Sequence, residues 1–432
     1  MPSRPQTLPH FAHVDALRPG VDYYEQLFTR FLQRFSKREQ IDLAAWFQHV
    51  KRGRVHVATA CSGTDVPLLV YHCLRKAVMR VLGIPLELVH LFSCERSPAK
   101  QAFLRTMYED MRTLFSDATQ IGMPVAHDQI SQKMQPVPED VHSLLVGWPC
   151  TDVSMMNKFA STLGNRSCVL SGTLRTGGVF RGVVDFCKCH AEELDFLGSE
   201  NVPALAKTPP GGGPDNLTAA VWLLDTECDM WTKPWVLNPM LFGVPQNRDR
   251  LWFPSYRRKS LRELGLSDVQ ADAILSDIMD RLVGSALGDI DWYLYPADHP
   301  HMQNIIARMP EVADAETQVA PKAKWPRQHM DFFEGKGLKS WETAYPSQSA
   351  MEQYPMLKRI LFREFDIIQA QGATDYPCDT RAFIEIGQSL YRTKQATTRW
   401  VNTLTPRLKY YVTDLCRILV GPETLRLQSI HF

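Results

Sequence analysis

The apolar and polar positions of the chain follow two periods in turn. Between residues 22 and 50, Leu27, Phe28, Phe31, Leu32 and Phe35 recur at helical spacing and form one stripe. Ile41, Leu43, Ala44 and Trp46 predict a second helix, and both helices read as packing elements. The residues before them, with Pro2, Pro5, Pro9 and Pro19, predict loose chain. From Val55 the pattern changes. Val55–Ala60 reads as a strand, Cys61–Asp65 as a small-residue turn and Pro67–Leu82 as a helix. Leu88–Ser93 is a second strand, Ser97–Leu114 a second crossover helix, and Phe115-Ser116-Asp117 the end of a short third strand. Strands alternating with helices in this way predict a parallel sheet.

The run Leu144-Leu145-Val146 is too short for a helix and reads as a buried strand, ended by Gly147 and Pro149. Ser171–Gly182, rich in Gly, Ser and Thr, predicts a mobile segment, and Val183–Glu193 a helix. Cys187, Cys189 and His190 on that helix read as core packing, because no second pair with zinc spacing accompanies them; no metal site is expected. Leu194–Gly198 is a short strand with Ser199–Pro203 behind it, Ala219–Leu224 a helix and Val236-Leu237 a strand. Gly243–Arg250 leads into the strand Leu251-Trp252-Phe253, with Arg248 and Arg250 at alternate positions on one face. Beyond Pro254 the character shifts. Ser260–Val283 is helical and polar, Tyr293–Trp325 is rich in Pro, His and Met, and Met356–Ile368 is amphipathic. Lys322, Lys324 and Arg327 around Trp325 read as a solvated loop before a nucleic-acid contact. The chain shows no internal repeat.

Composition narrows the class without naming a function. A chain of 432 residues predicts two domains, and 44% hydrophobic with 22% charged residues is ordinary for a soluble protein. No apolar run approaches the ~18 residues of a membrane span. The first residues lack the apolar core of a secretory signal. Ten cysteines without a regular framework fit reduced thiols inside a cell. The expected location is intracellular. A net charge of +1 does not announce a nucleic-acid binder, although a local basic groove can sit inside a balanced total.

The candidate chemistry sits where predicted strands end. Cys150 stands just past the carboxyl end of its strand, where open α/β sheets put their sites. An ordinary thiol, with a pKa of about 8.5, is only a few per cent thiolate at neutral pH, so a nucleophilic cysteine needs help from its surroundings. The turn Cys61-Ser62-Gly63-Thr64 before a helix N-terminus suits a nucleotide-like ligand. Glu95, at the end of the second strand, suits a pair of ribose hydroxyls.

Taken in order, Cys61-Ser62-Gly63, Glu95, Pro149-Cys150, Glu200-Asn201-Val202 and Gln246-Asn247-Arg248-Asp249-Arg250 resemble the successive motifs of the cytosine-C5 DNA methyltransferases. Leu404-Thr405-Pro406-Arg407 and the stretch from Arg417 to Gln428 resemble that family's ninth motif. The resemblance implies a Rossmann-like class I methyltransferase sheet with helices on both faces, plus a smaller target-recognition domain. It divides the chain into a helical extension at 1–50, a catalytic domain at 51–254, target recognition at 255–403 and a C-terminal return to the catalytic domain at 404–432. The cofactor implied is S-adenosylmethionine, bound by Cys61, Ser62, Gly63, Thr64, Glu95, Asp117 and Pro149, with Asp128 the competitor of Asp117. Cys150 is implied as the nucleophile on cytosine C6, Glu200 as the partner of N3, and Arg250 with Arg248 as holders of the base carbonyl. Ser154, Asn201, Val202 and Gln246 are implied to line the substrate.

Duplex DNA is the substrate implied, RNA the alternative, and a silent regulatory paralogue the third reading. The resemblance implies the nucleus as location in a eukaryote and the cytoplasm otherwise. The chain departs from the family pattern at Cys61, usually aromatic, at Asp65, usually glycine, and at Thr151, often glutamine. The family's last motif, with Gly-Asn, is absent, so the chain reads as truncated, and the helix around residues 22–35 is expected to pack in the vacated place.

Overall fold

The computed structural model describes residues 23–49, 53–108, 111–284, 287–296, 298–311, 325–337, 346–373, 375–393, 395–402, 404 and 409–427. The readings made on residues 1–22, on Lys322, Lys324, Thr405, Pro406, Arg407 and Gln428, and on the side chains of Trp46 and Trp325 lie outside the described residues. Two compact units divide the rest, one holding residues 23–242 and 249–284, the other residues 243–248 and 287–427. The sequence boundary stood at 254; the first unit runs on to 284, and the second includes the residues from 404 onward.

The first unit is built on one mixed sheet. Its strands are β1 (Arg54–Ala60), β2 (Glu87–Cys94), β3 (Leu114–Phe115), β4 (Val125–Asp128), β5 (Lys133–Pro136), β6 (Ser143–Val146), β7 (Phe196–Asn201), β8 (Met230–Thr232) and β9 (Trp235–Leu237); β10 (Gln246–Asn247) belongs to the second unit and β11 (Arg250–Arg257) returns to the first. The spatial order is β5-β4-β3-β2-β1-β6-β7-β11-β8, with β9 also paired to β11. Strands β3, β2, β1, β6 and β7 run parallel, and β11 is antiparallel to β7. This is a Rossmann-like sheet with a parallel centre, as the resemblance implied. The chain winds outward from β1 to β3 and then crosses back to β6 on the other side of β1. The β1/β6 boundary is therefore the topological switch point, where the loops beyond the strands diverge and leave a crevice.

Helices cover both faces. They are α1 (Tyr23–Gln33), α2 (Lys37–His49), α3 (Val66–Leu82), α4 (Pro98–Met107), α5 (Leu163–Arg166), α6 (Cys168–Ser171), α7 (Leu174–Cys189), α8 (Asn216–Cys228), α9 (Arg258–Glu263) and α10 (Asp268–Leu282). Helix α1 packs on α3, with Leu32 against Ala77 and Val78, and Glu25 paired to Lys76 at 3.9 Å and to Arg80. The polar run at 260–283 is two helices, because Gly265 turns the chain and Ser267 caps α10 in a capping box with Gln270. The helix expected to reach Leu114 stops at Met107, and Leu114 pairs in β3 instead.

The segment expected to be mobile, Ser171–Gly182, is largely the first half of α7. Gly177 and Gly182 in it are sites of close backbone approach. A Cβ on Gly182 would meet Ala118 O at 2.5 Å and Thr119 Cα at 2.7 Å. Alanine would favour the helix by roughly 1 kcal/mol, but forcing backbone apart costs about 1–3 kcal/mol, so packing wins. Gly182→Ala is expected to lower the melting temperature of the first unit by several degrees in a thermal denaturation experiment; an unchanged or raised midpoint would show that the backbone there can yield.

The second unit holds a three-stranded antiparallel sheet, β12 (Phe383–Glu385), β14 (Tyr410–Val412) and β15 (Arg417–Ile418), and a pair of β10 with β13 (Val401–Asn402). Met302, Phe333, Leu357, Phe365, Ile368, Ile384 and Tyr411 form its core beside the helices Pro300–Arg308, Trp325–Lys336 and Phe362–Ala370. Arg417 and Glu423 make a buried two-pronged ion pair at 2.7 and 2.8 Å. The amphipathic stretch 356–368 is a short 3₁₀ turn followed by a helix rather than one helix.

Candidate active site

Three adjacent parallel strands, β1, β6 and β7, end at the same edge, and each delivers one loop to the crevice. Gly147 follows β6. A Cβ placed on it would lie 3.6 Å from Glu200 Oε2 and 4.0 Å from the Cys61 carbonyl, so this residue brings the three loops together. Trp148 turns into the core, its ring 4.3 Å from that of Phe180 and edge-on to Phe253 at 6.1 Å. Such pairs add about 1 kcal/mol beyond burial and fix the root of the loop. Cys150 is half-buried beside that core, after Pro149. Its carbonyl accepts from Val153 N at 3.2 Å and Ser154 N at 2.8 Å, a tight turn that places Ser154 directly behind the cysteine.

The loop is tied down from outside. Thr176 N on α7 donates to Asp152 Oδ2 at 2.7 Å, Asp152 N donates to Thr176 Oγ1 at 3.4 Å, and Asn165 Nδ2 donates to Asp152 O at 2.6 Å. Sequence reasoning missed Thr176 and Asn165. Thr176 lay in a run whose composition suggested mobility, and Asn165 had no spacing signal.

Glu200 and Asn201 are the last residues of β7, not the loop behind it. Glu200 Oε1 pairs with Arg250 Nε at 2.8 Å, both side chains about one fifth exposed at 22% and 17%. Antiparallel pairing of β7 with β11 sets this contact, since Leu251 stands opposite Asn201. Asn201 is buried; its Nδ2 donates to Trp148 O at 3.3 Å and its Oδ1 accepts from Val202 N at 2.8 Å. It braces the cysteine loop, and Val202 packs against the core.

The arginines expected on one face of one strand are separated. Arg250 begins β11 in the first unit, whereas Gln246 and Arg248 belong to the second, where β10 pairs with β13. Gln246 is buried in that unit. The pairing partner of each short segment, invisible in the local pattern, decides this.

At the first turn, Cys61 and Gly63 adopt positive φ. The Ser62 hydroxyl meets Thr59 Oγ1 at 2.7 Å and Cys94 O at 3.3 Å, and Thr64 is half-buried beside it. Glu95 is buried and bridges two segments, its Oε2 accepting from Gly63 N and its Oε1 from Ser97 N, each at 2.8 Å. Asp117 follows β3 and accepts through Oδ1 from Thr119 N and Oγ1 at 2.9 and 2.8 Å. Its competitor Asp128 is buried and accepts from Leu114 N, Ile130 N and Ser131 N, a purely local brace. Burial pushes the Cys61 thiol up to about 12; the Glu95 charge adds to this, and Arg175 and Lys100 oppose it. Cys61 is thus a neutral thiol at physiological pH.

Asp65, the αL residue capping α3, lies fully buried; Thr59 Oγ1 and Ser93 Oγ donate to its Oδ2 at 2.9 and 2.5 Å. Its Oδ1 has no hydrogen-bond partner among the described residues. Burial raises its pKa from 3.8 to about 6, against the two hydroxyl hydrogen bonds. A carboxyl with a raised folded pKa favours folding most below its unfolded value, and that contribution is lost as pH rises through the folded value. Between pH 4 and pH 7 the wild type is therefore expected to lose about 2 kcal/mol through this group, at 1.36 kcal/mol per unit. Asp65→Asn should lack that component, so the difference between urea unfolding curves of the two proteins should open between pH 4 and 6 and stay flat above 7. Parallel pH profiles would refute this.

No helix among the described residues is long and apolar enough to cross a membrane, and no group of three His, Cys, Asp or Glu among them could hold a metal ion. Both ring nitrogens of His190 face backbone carbonyls, Phe186 O at 2.8 Å and Pro138 O at 2.9 Å.

No family model matches the chain. Among curated proteins it is 30% identical over 184 residues to "DNA (cytosine-5-)-methyltransferase DMT5" of Cryptococcus neoformans var. grubii, a match covering 43% of this chain and 7% of that one. It is also 30% identical over 117 residues to the protein of the same name in Verticillium dahliae, covering 26% and 5%. The matches thus span a small fraction of those much longer relatives. Among solved structures it is similar to Spodoptera frugiperda DNMT2, with 12% identity, a TM-score of 0.37 and coverage of 75% of this chain and 91% of that one. Over these stretches the chain is similar to proteins named as cytosine-C5 DNA methyltransferases.

Proposed function

We propose that this chain transfers a methyl group from S-adenosylmethionine to C5 of a cytosine in duplex DNA, with Cys150 as covalent nucleophile. One observation carries the reading. The Glu200–Arg250 ion pair places its carboxylate against Gly147, three residues before Cys150, so an acid, a cation and a thiol share one strand edge. The names of the curated relatives favour DNA over RNA.

The residues at the β1 and β2 ends fit the cofactor. Each Glu95 oxygen accepts one backbone N–H, and a carboxylate oxygen has a second acceptor site to offer a ribose hydroxyl. Asp117 lies one strand further along the edge and would take an adenine amine, with Ser62, Gly63, Thr64 and Pro149 toward the methionine half. S-adenosylmethionine, when bound, supplies an electrophilic methyl group.

On this reading Cys150 Sγ, as thiolate, adds to C6 of the base, splitting one hard step into easier ones. Glu200 donates to N3 and so draws electron density from the ring. Arg250 holds the base carbonyl as charge develops there. Once C5 carries the methyl group, a base takes the C5 proton and the electron pair of that C–H bond expels Sγ from C6, which restores the aromatic ring. The base must leave the stack first, at a cost of a few kcal/mol. Ser154 and Val202 complete the reading, with Asn201 acting through the loop it braces.

The test is transfer of labelled methyl from S-adenosylmethionine to duplex DNA and, separately, to transfer RNA. Label in DNA that disappears in Cys150→Ala is the expected result. Label in RNA alone would move the substrate to RNA. Cofactor binding without label in either would make the chain a silent regulatory relative.

A further inference from the structure

Resting on the function proposed above, we infer that Asn165 and Arg166 are positioning residues for the reaction, a pair that fixes the Cys150 loop and the Glu200 loop to each other. They are neighbours in the short helix α5 and bind two different segments. Asn165 Nδ2 donates to Asp152 O at 2.6 Å, two residues beyond Cys150. Thr162 Oγ1 donates to Asn165 Oδ1 at 3.0 Å, which holds the amide in that orientation. Arg166 is 4% exposed and donates through Nη1 to Ala204 O at 2.8 Å, four residues beyond Glu200. The turn at Pro203–Ala206 follows Val202 directly, and Leu205 N donates to Val202 O at 3.0 Å, so a shift at Ala204 is passed to the end of β7. Helix α5 is itself seated. Asn216, fully buried at the start of α8, donates through Nδ2 to Asn165 O at 2.8 Å, and its Oδ1 accepts from Val169 N at 2.9 Å.

The two loops already meet at their roots, where Asn201 Nδ2 donates to Trp148 O at 3.3 Å. One contact acts as a pivot. It sets how far apart the loops stand and leaves them free to rotate about it. The α5 contacts lie further along both loops, beyond Cys150 on one and beyond Glu200 on the other, and supply a second point that stops the rotation. What they fix is the direction in which the thiol faces the carboxylate across the base. The bonds between Thr176 and Asp152 do not do this, because they tie the Cys150 loop to α7 and not to the Glu200 loop. Filling space does not explain an arginine here. Taking a guanidinium out of water is costly, and an apolar side chain would occupy the same volume without that cost. The arginine adds a donor at the end of a long stem, and that donor holds the carbonyl behind Glu200.

The experiment is single-turnover transfer of labelled methyl to duplex DNA by the full chain at saturating cofactor and DNA, with both affinities measured alongside. Asn165→Ala and Arg166→Met are each expected to slow transfer about thirtyfold with both affinities within about twofold, since a small misplacement of the reacting atoms is enough for such a loss. Arg166→Lys should come within about threefold of wild type, because an ammonium can still reach one carbonyl. In a Glu200→Gln background, Asn165→Ala should add less than about threefold, because the carboxylate against which the thiol is aligned is gone. Asn165→Ala is expected to keep its melting temperature, as Thr176 and Asn157 still hold Asp152. If Arg166→Met fails to fold, Asn165→Ala in the two backgrounds decides alone. A wild type that transfers methyl together with an unaffected Asn165→Ala would overturn the inference and leave the proposed function standing. An undiminished loss in the Glu200→Gln background would also overturn it, making α5 a support of the nucleophile loop alone. If the wild type transfers no methyl, the proposed function itself fails, and this inference with it.

Discussion

Cys150→Ser is expected to lower methyl transfer by on the order of 10⁴-fold while leaving cofactor affinity within about twofold. The argument is chemical before it is structural. A serine hydroxyl has nearly the shape of the thiol but is far less acidic, so far less of it is present as the anion that attacks C6. At 1.36 kcal/mol per decade the change corresponds to about 5 kcal/mol of lost transition-state stabilisation. The Cys150 turn should survive, because its hydrogen bonds run from Val153 N and Ser154 N to the backbone carbonyl and none needs the sulfur. Single-turnover methyl transfer, with cofactor titration alongside, separates the outcomes. Serine activity within tenfold of wild type would end the covalent mechanism. A parallel loss of cofactor binding would mean that the loop, and not the sulfur, was damaged.

The second large effect concerns stability. Arg257→Met is expected to destabilise the first unit by about 4 kcal/mol, read as a fall in the urea midpoint. Arg257 is buried at the end of β11. Its Nε donates to Leu194 O at 3.3 Å, one terminal nitrogen donates to Cys187 O at 2.8 Å, and the other bonds Cys228 O. Cys187 lies in the last turn of α7 and Cys228 ends α8, so one guanidinium satisfies carbonyls at the ends of two helices, where the backbone is electron-rich. Methionine keeps most of the apolar stem and removes every donor. A buried carbonyl left unpaired costs about 1–3 kcal/mol, and three share the loss. Arg257→Lys should fall between, since one ammonium cannot span three directions. A methionine variant as stable as wild type would show that water replaces the guanidinium without cost.

Arg257 also shows how far the sequence could be read. Leu251, Phe253, Ser255 and Arg257 are buried at every second position of β11, while Arg250 and Trp252 are not. The alternation was legible. An arginine in the inward phase was a signal of a buried guanidinium, but its acceptors come from residues 29 to 70 positions away and could not be anticipated. The same division runs through the candidate site. Cys150, Glu95 and the turn at Cys61–Thr64 were legible because each follows a short apolar run, and parallel strands bring such ends to one edge.

The sequence by itself determined the alternation of β1, α3, β2 and α4 up to β3, the strands β6, β7, β9 and β11, the parallel class of the sheet's centre and the candidate thiol at a strand end; β4, β5, β8 and the short helices α5 and α6 were not read from it. Period and strand-end chemistry are local properties, written in neighbouring residues. Tertiary structure alone decided which strand ends meet. It made the Glu200–Arg250 pair by laying β11 against β7. It assigned Gln246 and Arg248 to a different unit from Arg250, through the pairing of β10 with β13. It also turned a glycine-rich run into a helix, because Gly182 lets the backbone of α7 approach the chain at Ala118 more closely than any side chain would allow. Pairing and close approach are contacts between distant residues, and no window along the chain contains both partners.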